Sequence, residues 1–75
     1  MNDTTYTFHV TGMHCGSCGM LIDEALEQTA GVYRAETSVR AGRTVVDADP
    51  AVTDVPTLIA VIADAGYQAR LAATE

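Results

Sequence analysis

Two cysteines lie close together near the start of the sequence, in the segment Gly12-Met13-His14-Cys15-Gly16-Ser17-Cys18. The chain has no other cysteine, so any thiol chemistry is concentrated at Cys15 and Cys18. A helix is predicted to start at about residue 16, which places Cys15 in a loop and Cys18 in the first helical turn. Unpaired backbone N–H groups and the helix dipole favour a negative charge there. We therefore expect both thiols to ionise more easily than an ordinary cysteine.

Two thiolates at this spacing can bring both sulfurs onto one soft metal ion. They are too few for a closed tetrahedral zinc site, which takes four protein ligands. A two-sulfur site suits a soft monovalent ion, and Cu(I) is the biological example. Such an open site also lets an incoming thiolate attack the metal, so the ion can pass between proteins without being released. The cysteine pair therefore predicts Cu(I) binding and exchange.

A C-x-x-C pair also occurs in other classes of protein. Thioredoxin-like oxidoreductases need a larger fold, and a zinc ribbon needs a second cysteine pair, which this chain lacks. A dithiol–disulfide reductant with Cys15 as the attacking thiolate is a further alternative. No proline or acid–base residue is obviously placed to support turnover, so we expect the protein not to be an enzyme.

Length and charge restrict the possible partners. The 75 residues suffice for one small domain, expected over 1–75. Ten acidic residues against four basic ones give a net charge of −6, which repels phosphate backbones and anionic lipid, so we expect neither nucleic-acid nor membrane binding. The N-terminus lacks the basic and apolar regions of a signal peptide, which predicts a cytoplasmic location. In a reducing compartment, paired cysteines more often form a metal or redox site than a structural disulfide.

Hydrophobic periodicity predicts four strands and two helices. Alternation of period two marks the strands, and apolar residues spaced three and four apart mark the helices. Asp54 and Pro56 are typical of a helix start, whereas Gly31 and Gly66 are suited to helix ends. The predicted elements are a strand at about 4–11, a helix at about 16–29, a hairpin of strands 32–39 and 44–48 around Ala41-Gly42, a helix from Asp54 to Gly66, and a strand at 67–72.

The order strand, helix, strand, strand, helix, strand predicts the fold class. Right-handed crossovers would place both helices on one face of a four-stranded antiparallel sheet, the ferredoxin-like α+β sandwich. Inward-facing side chains are then expected at alternate positions of the first strand and along one stripe of each helix, with His9 on the polar face of the sheet. The predicted inward residues are Tyr6, Phe8, Val10, Cys18, Ile22, Leu26, Ala35, Thr37, Thr44, Val46, Ala48, Leu58, Ile59, Ile62 and Ala65.

The cysteine segment resembles the G-M-x-C-x-x-C signature of the heavy-metal-associated domain family, which includes copper chaperones and the N-terminal modules of metal-transporting P-type ATPases. The likeness extends to Gly31-Val32 and Ala65-Gly66-Tyr67 and so covers nearly the whole chain. It implies a ferredoxin-like domain of the bacterial copper chaperone type. Such a domain would bind Cu(I) through Cys15 and Cys18 and pass it to a partner of the same fold, the metal-binding domain of a copper-transporting P-type ATPase.

Three further residues are accessory candidates. The resemblance implies that Met13 turns into the core beneath the loop, which we expect here because Met fills irregular gaps, although a thioether ligand is the alternative. His14 stands where the family commonly has Thr or Ser, and the absence of the Asp often found in zinc- and cadmium-selective relatives favours copper. His14 is a third ligand, a bridge in a metal-linked homodimer, or a solvated side chain. Tyr67 shields the metal or simply begins the last strand.

The sequence leaves several alternatives open. The chain is either a free-standing chaperone, which would deliver metal to an exporting ATPase or a copper-responsive regulator, or an excised N-terminal domain of such an ATPase. A mercury- or zinc-binding relative is also possible, so Ag(I), Hg(II) and Zn(II) stay alternatives to Cu(I). Asp23, Glu24 and Glu27 are interpreted as a solvated helix face that would also suit a basic partner.

Overall fold

The strands and helices of the structure follow one another in the order predicted from the sequence. The computed structural model describes residues 3–13 and 16–74; two of the predicted site residues, His14 and Cys15, lie outside this part of the chain. The elements are β1 (Thr4–Thr11), α1 (Gly16–Glu27), β2 (Val32–Ser38), β3 (Arg43–Ala48), α2 (Val55–Asp64) and β4 (Gln68–Thr74).

The four strands form one antiparallel sheet in the order β2-β3-β1-β4. Helix α1 packs against β2, α2 packs against β4, and the two helices contact each other. The ferredoxin-like sandwich predicted from the element order is thus confirmed. Because β1 pairs with both β3 and β4, the strand that leads into the cysteine segment lies inside the sheet rather than at its edge.

The core lies between the sheet and the helices. Phe8 is fully buried and its neighbour His9 is exposed, as the period-two pattern of β1 predicted. Each fully buried Leu, Ile or Phe contributes roughly 1.5–3 kcal/mol by leaving water. The buried apolar cluster consists of Tyr6, Phe8, Val10, Ile22, Leu26, Ala35, Val46, Ala48, Leu58 and Ile62.

Local hydrogen bonds explain where two elements end. The first helix stops at Glu27, two residues earlier than predicted, because the Thr29 hydroxyl donates to the Ala25 carbonyl oxygen at 3.0 Å and the Thr29 N–H donates to the Leu26 carbonyl at 2.9 Å. The last strand instead runs beyond the predicted residue 72. An irregularity in the β1–β4 register brings Ala73 opposite Thr7, so the two strands stay paired through Thr74.

The second helix begins at the predicted cap. The carboxylate of Asp54 accepts the Thr57 N–H at 3.0 Å and the Thr57 hydroxyl at 2.6 Å. These bonds stabilise the ionised carboxylate, so the pKa of Asp54 is lowered, first by the hydroxyl and then by the N–H. Within the described residues, neither helix is long and apolar enough to span a bilayer.

Candidate metal site

The cysteine segment connects β1 to α1. The strand ends at Thr11 and the helix begins at Gly16, so the connection is short and fixed at both ends. Gly12 adopts a φ of 93°, a left-handed conformation that a residue with a side chain rarely takes. Gly12 therefore permits a change of chain direction directly after β1.

Cys18 lies in the first turn of α1 and is 8% exposed. The first N–H groups of a helix lack acceptors within the helix, and the dipole there favours a negative charge. Cys18 is buried on the same side of α1 as Ile22 and Leu26, which are both fully buried, in agreement with the predicted helical spacing. Since Cys15 and His14 are outside the described residues, the joint coordination of metal by the cysteines stays a prediction.

Two partly buried side chains, Met13 and Tyr67, accompany the connection between β1 and α1. Met13 belongs to the connection itself, and Tyr67 approaches it from the end of α2. Met13 is half-buried and packs against the core cluster, as does Tyr67. A methyl group built on Gly12 would lie 3.8 Å from the Tyr67 Cδ1 atom, so the tyrosine ring borders the turn. The Tyr67 N–H donates to the Ile62 carbonyl oxygen at 3.3 Å, which fixes this residue at the corner between α2 and β4.

A chain of hydroxyl groups holds α1 against the hairpin. The Thr37 hydroxyl donates to the Asp23 carboxylate at 2.6 Å and lies 2.9 Å from the Thr44 hydroxyl. Because Thr37 gives its single proton to Asp23, Thr44 must be the donor to Thr37. Thr44 is fully buried, so this bond satisfies a group that water cannot reach. The same helix carries Cys18.

The acidic side chains of α1 are therefore not uniformly solvated. The sequence interpretation placed Asp23 and Glu27 on a wet helix face, but Asp23 accepts from Thr37, and Glu27 accepts the Ala35 N–H at 3.3 Å. Only the pairing of α1 with β2 in space brings these partners together. The inward position of Thr37 was the one signal in the sequence that a polar group of the helix should face it.

The start of α1 approaches the hairpin closely. Gly19 follows Cys18, and a methyl group on it would lie 3.1 Å from the Val39 Cγ2 atom and 3.4 Å from the Thr37 Cγ2 atom. A larger residue would therefore push the first turn of the helix outward. The lack of a side chain at Gly19 keeps the cysteine-bearing turn near the sheet.

Apolar side chains next to Cys18 are left in solvent. Met20 is 72% exposed and Leu21 is 55% exposed. Met20 also lines an open groove of about 480 Å³ along α1, whose other lining residues are Asp23, Glu24, Glu27 and Gln28. This helix therefore presents both apolar and acidic groups, a mixture suited to a transient protein interface.

Comparison with known families gives a clear match. The model of the heavy-metal-associated domain matches residues 7–68, which include the whole segment from the end of β1 to the start of β4. The match contains every residue that was singled out for the metal site.

Similar proteins fall into more than one functional group. The periplasmic component of a mercuric transport protein from Salmonella typhi is 37% identical over 67 residues, which are 89% of this chain and 74% of that protein. The copper chaperone CopZ of Staphylococcus saprophyticus is 35% identical over 66 residues, 88% of this chain and 97% of that one. The crystal structure of a copper-binding domain from a P-type ATPase superposes with a TM-score of 0.93 at 30% identity, covering 96% of this chain and 97% of that one.

Proposed function

Because the chain belongs to the heavy-metal-associated domain family, we propose that it is a Cu(I) chaperone in which the thiolates of Cys15 and Cys18 hold one ion. The single observation that carries this proposal is the place of Cys18 in the first turn of α1, directly after the short connection from β1. A thiolate there is favoured by the helix start, and its partner lies three positions earlier in the same segment.

The donor set supports a soft ion. Thiolate is the softest common protein ligand, and two of them leave a monovalent ion open to further ligands. Met13 packs against the core, which supports a role beneath the loop rather than as a ligand. Tyr67 borders Gly12, which supports a role in shielding the metal from one side. His14 is proposed as an accessory donor when a second protein is absent.

Transfer would proceed by ligand exchange without any change of oxidation state. A thiolate of the acceptor forms a sulfur–copper bond, and one of the two original sulfur–copper bonds then breaks. The released cysteine takes a proton or stays ionised, while copper remains Cu(I) throughout. Low coordination keeps this exchange fast, because no ligand must leave before the new one arrives.

The proposed acceptor is the metal-binding domain of a copper-transporting P-type ATPase, with a copper-responsive regulator as a further recipient. Met20 and Leu21 are exposed beside Cys18 and would supply apolar contact around the exchanged ion. The acidic side chains that line the groove on α1 would attract a partner with a basic surface. A metal-bridged homodimer would use the same surface and compete with the acceptor.

The proposal treats residues 1–75 as one non-enzymatic metal-binding domain that works in the cytoplasm. The CopZ relative supports this assignment because this chain covers 97% of it. The P-type ATPase domain of TM-score 0.93 supports the alternative that these residues work as the N-terminal domain of such a transporter. The length of the native transcript distinguishes the two alternatives, because a transporter requires a much longer transcript than a free-standing chaperone.

Hg(II) is the second candidate cargo. The 37% identity to a mercuric transport protein favours it, and a divalent soft ion also accepts two thiolates. A cytoplasmic chaperone and a mercury carrier make different predictions. The first should exchange Cu(I) with a dithiolate acceptor, whereas the second should hold Hg(II) and release copper to a mild chelator.

A competition titration tests the copper proposal. The reduced protein is titrated with Cu(I) in the presence of a coloured Cu(I) chelator, and about one tightly held ion per chain is expected with both cysteines intact. Cys15→Ser and Cys18→Ser should each abolish tight binding. Ala60→Ser, which adds the same hydroxyl at an exposed position of α2, is the matched control and should bind as the parent does.

Two outcomes would contradict the proposal. Unchanged affinity in the Cys15→Ser, Cys18→Ser double variant would exclude the dithiolate. Tight binding without transfer to a reduced dithiolate domain, mixed with the loaded protein and separated by size or charge, would exclude the chaperone role.

A further inference from the structure

Three basic side chains lie side by side across the face of the sheet that the helices leave uncovered. His9 of β1 is paired with Arg43 of β3 on one side and with Arg70 of β4 on the other. All three are exposed. Directly paired residues have Cβ atoms about 5 Å apart, so this basic row, Arg43, His9 and Arg70, spans roughly 10 Å.

The basic row is not neutralised within the described part of the chain. The one ion pair there joins Arg34 to Glu36 at 2.8 Å, on the other half of the same face. Asp47, also on that half, accepts the Thr5 hydroxyl at 2.7 Å. Glu36 and Asp47 thus already have partners, whereas no described carboxylate oxygen lies within 4.0 Å of Arg43 or Arg70.

A shallow cavity of about 330 Å³ opens beside the row and between β1 and β4. Its lining offers an imidazole, a hydroxyl, an amide and a guanidinium group, and no carboxylate. Such a set can donate several hydrogen bonds to an anionic group. The lining residues are His9, Thr11, Gln68, Ala69 and Arg70.

We propose that the basic row binds a carboxylate-rich acidic segment of a partner protein. The planar guanidinium groups of Arg43 and Arg70 match carboxylates in a two-point geometry. A long polyanion such as RNA or an anionic bilayer fits less well, since the chain as a whole carries a charge of −6 and would repel it beyond the contact zone. A short acidic segment engages the row alone.

The row lies on the uncovered face of the sheet, whereas Cys18 lies in the helix layer, at the start of α1. β1 carries His9 near its C-terminal end and then leads into the cysteine connection, while α1 and α2 cover the opposite face. A partner on the row would therefore leave α1 and its exposed Met20 accessible. The inference goes beyond the metal chaperone proposal and does not depend on which ion is carried.

Binding of a fluorescein-labelled triglutamate peptide, which spans roughly 10 Å when extended, tests the proposal by fluorescence anisotropy at low salt. Arg43→Gln and Arg70→Gln should each weaken binding about two- to fivefold, and salt near physiological strength should weaken it further. Arg34→Gln, which removes the same charge from the same face where it is already paired, is the matched control and should leave binding within about twofold. Circular dichroism checks that each variant is folded.

Several results would overturn the proposal. One is equal weakening by Arg34→Gln, which would mean that only net charge matters. Others are no peptide binding at low salt, or tighter binding of polyuridine or of phosphatidylserine vesicles than of the peptide. Concentration-dependent dimerisation of the free protein, abolished by Arg70→Gln, would instead assign the row to a second copy of this chain. Cu(I) titration of Arg70→Gln should match the parent in every case, which separates this test from that of the metal site.

Discussion

Replacing Thr37 by Val should destabilise the domain more than its half-buried position suggests. The hydroxyl donates to Asp23 at 2.6 Å and accepts a proton from the fully buried Thr44 at 2.9 Å. Val has nearly the same shape, so the substitution removes these two bonds without opening a cavity. The bond to the carboxylate contributes about 1.5–3 kcal/mol, and the unpaired Thr44 donor costs about 1–3 kcal/mol.

Two effects make the total loss of stability smaller than the sum of these two contributions. Asp23 is half-buried and can turn to water, and the new methyl group recovers about 0.8 kcal/mol by burial. We therefore expect Thr37→Val to lower the free energy of unfolding by about 2–3 kcal/mol. At about 4–8 °C per kcal/mol for a domain of this size, Tm should fall by roughly 10–20 °C.

The reasoning is tested by a double-mutant cycle measured by urea and thermal unfolding with circular dichroism. Thr44→Val alone should cost about 1 kcal/mol, because Thr37 keeps its bond to Asp23. The double variant leaves no buried donor unpaired and should be more stable than Thr37→Val. Thr7→Val, whose hydroxyl makes no hydrogen bond to a described residue, is the control and should change stability by less than about 0.5 kcal/mol. Strictly additive losses, or a larger loss from Thr44→Val than from Thr37→Val, would refute the assigned donor order.

Two further substitutions probe the backbone and a cap. Gly31→Ala should lower Tm more than Gly66→Ala does. Both glycines have left-handed φ values, 88° at Gly31 and 103° at Gly66, but only at Gly31 would the new methyl group clash, 2.8 Å from the Val52 Cβ atom. Equal losses of Tm in the two variants would contradict this reasoning. Asp54→Asn should be compared with the parent by urea unfolding from pH 7 to pH 2. Folding lowers the pKa of Asp54 below its ordinary 3.8, so the stabilisation from the ionised carboxylate is present above that value and is lost as pH falls through the folded pKa. The parent should therefore be more stable than Asp54→Asn at pH 7, and this difference in the free energy of unfolding should shrink in acid. A difference that does not change with pH would contradict the ionised cap.

The fold was predictable because local patterns and global arrangement agree. The alternation that buries Phe8 and exposes His9, and the spacing that buries Ile22 and Leu26, are properties of single segments. The cap at Asp54 likewise depends on residues only three positions apart. The end of β4 was missed because an irregular register, not its own weak pattern, keeps it paired through Thr74.

The site was predictable in part. The spacing of Cys15 and Cys18 predicts the chemistry proposed for the site, and the place of Cys18 in the first turn of α1 agrees with the predicted helical periodicity. Contacts between elements were not accessible in this way. Asp23 looks solvated along α1 and becomes a hydrogen-bond acceptor only when Thr37 of β2 is brought beside it. The basic row is similarly a product of strand register, since its members come from three strands far apart in the sequence.

X-ray absorption spectroscopy of the reduced, Cu(I)-loaded protein tests the proposed dithiolate most directly. The account predicts two sulfur neighbours around copper, supplied by Cys15 and Cys18, and at most one nitrogen neighbour, from His14. Met13 should be absent from the shell because it packs against the core. In the Cys18→Ser variant, the number of sulfur neighbours should fall from two to at most one. A shell of four donors, or one dominated by nitrogen and oxygen, would contradict an open two-thiolate site.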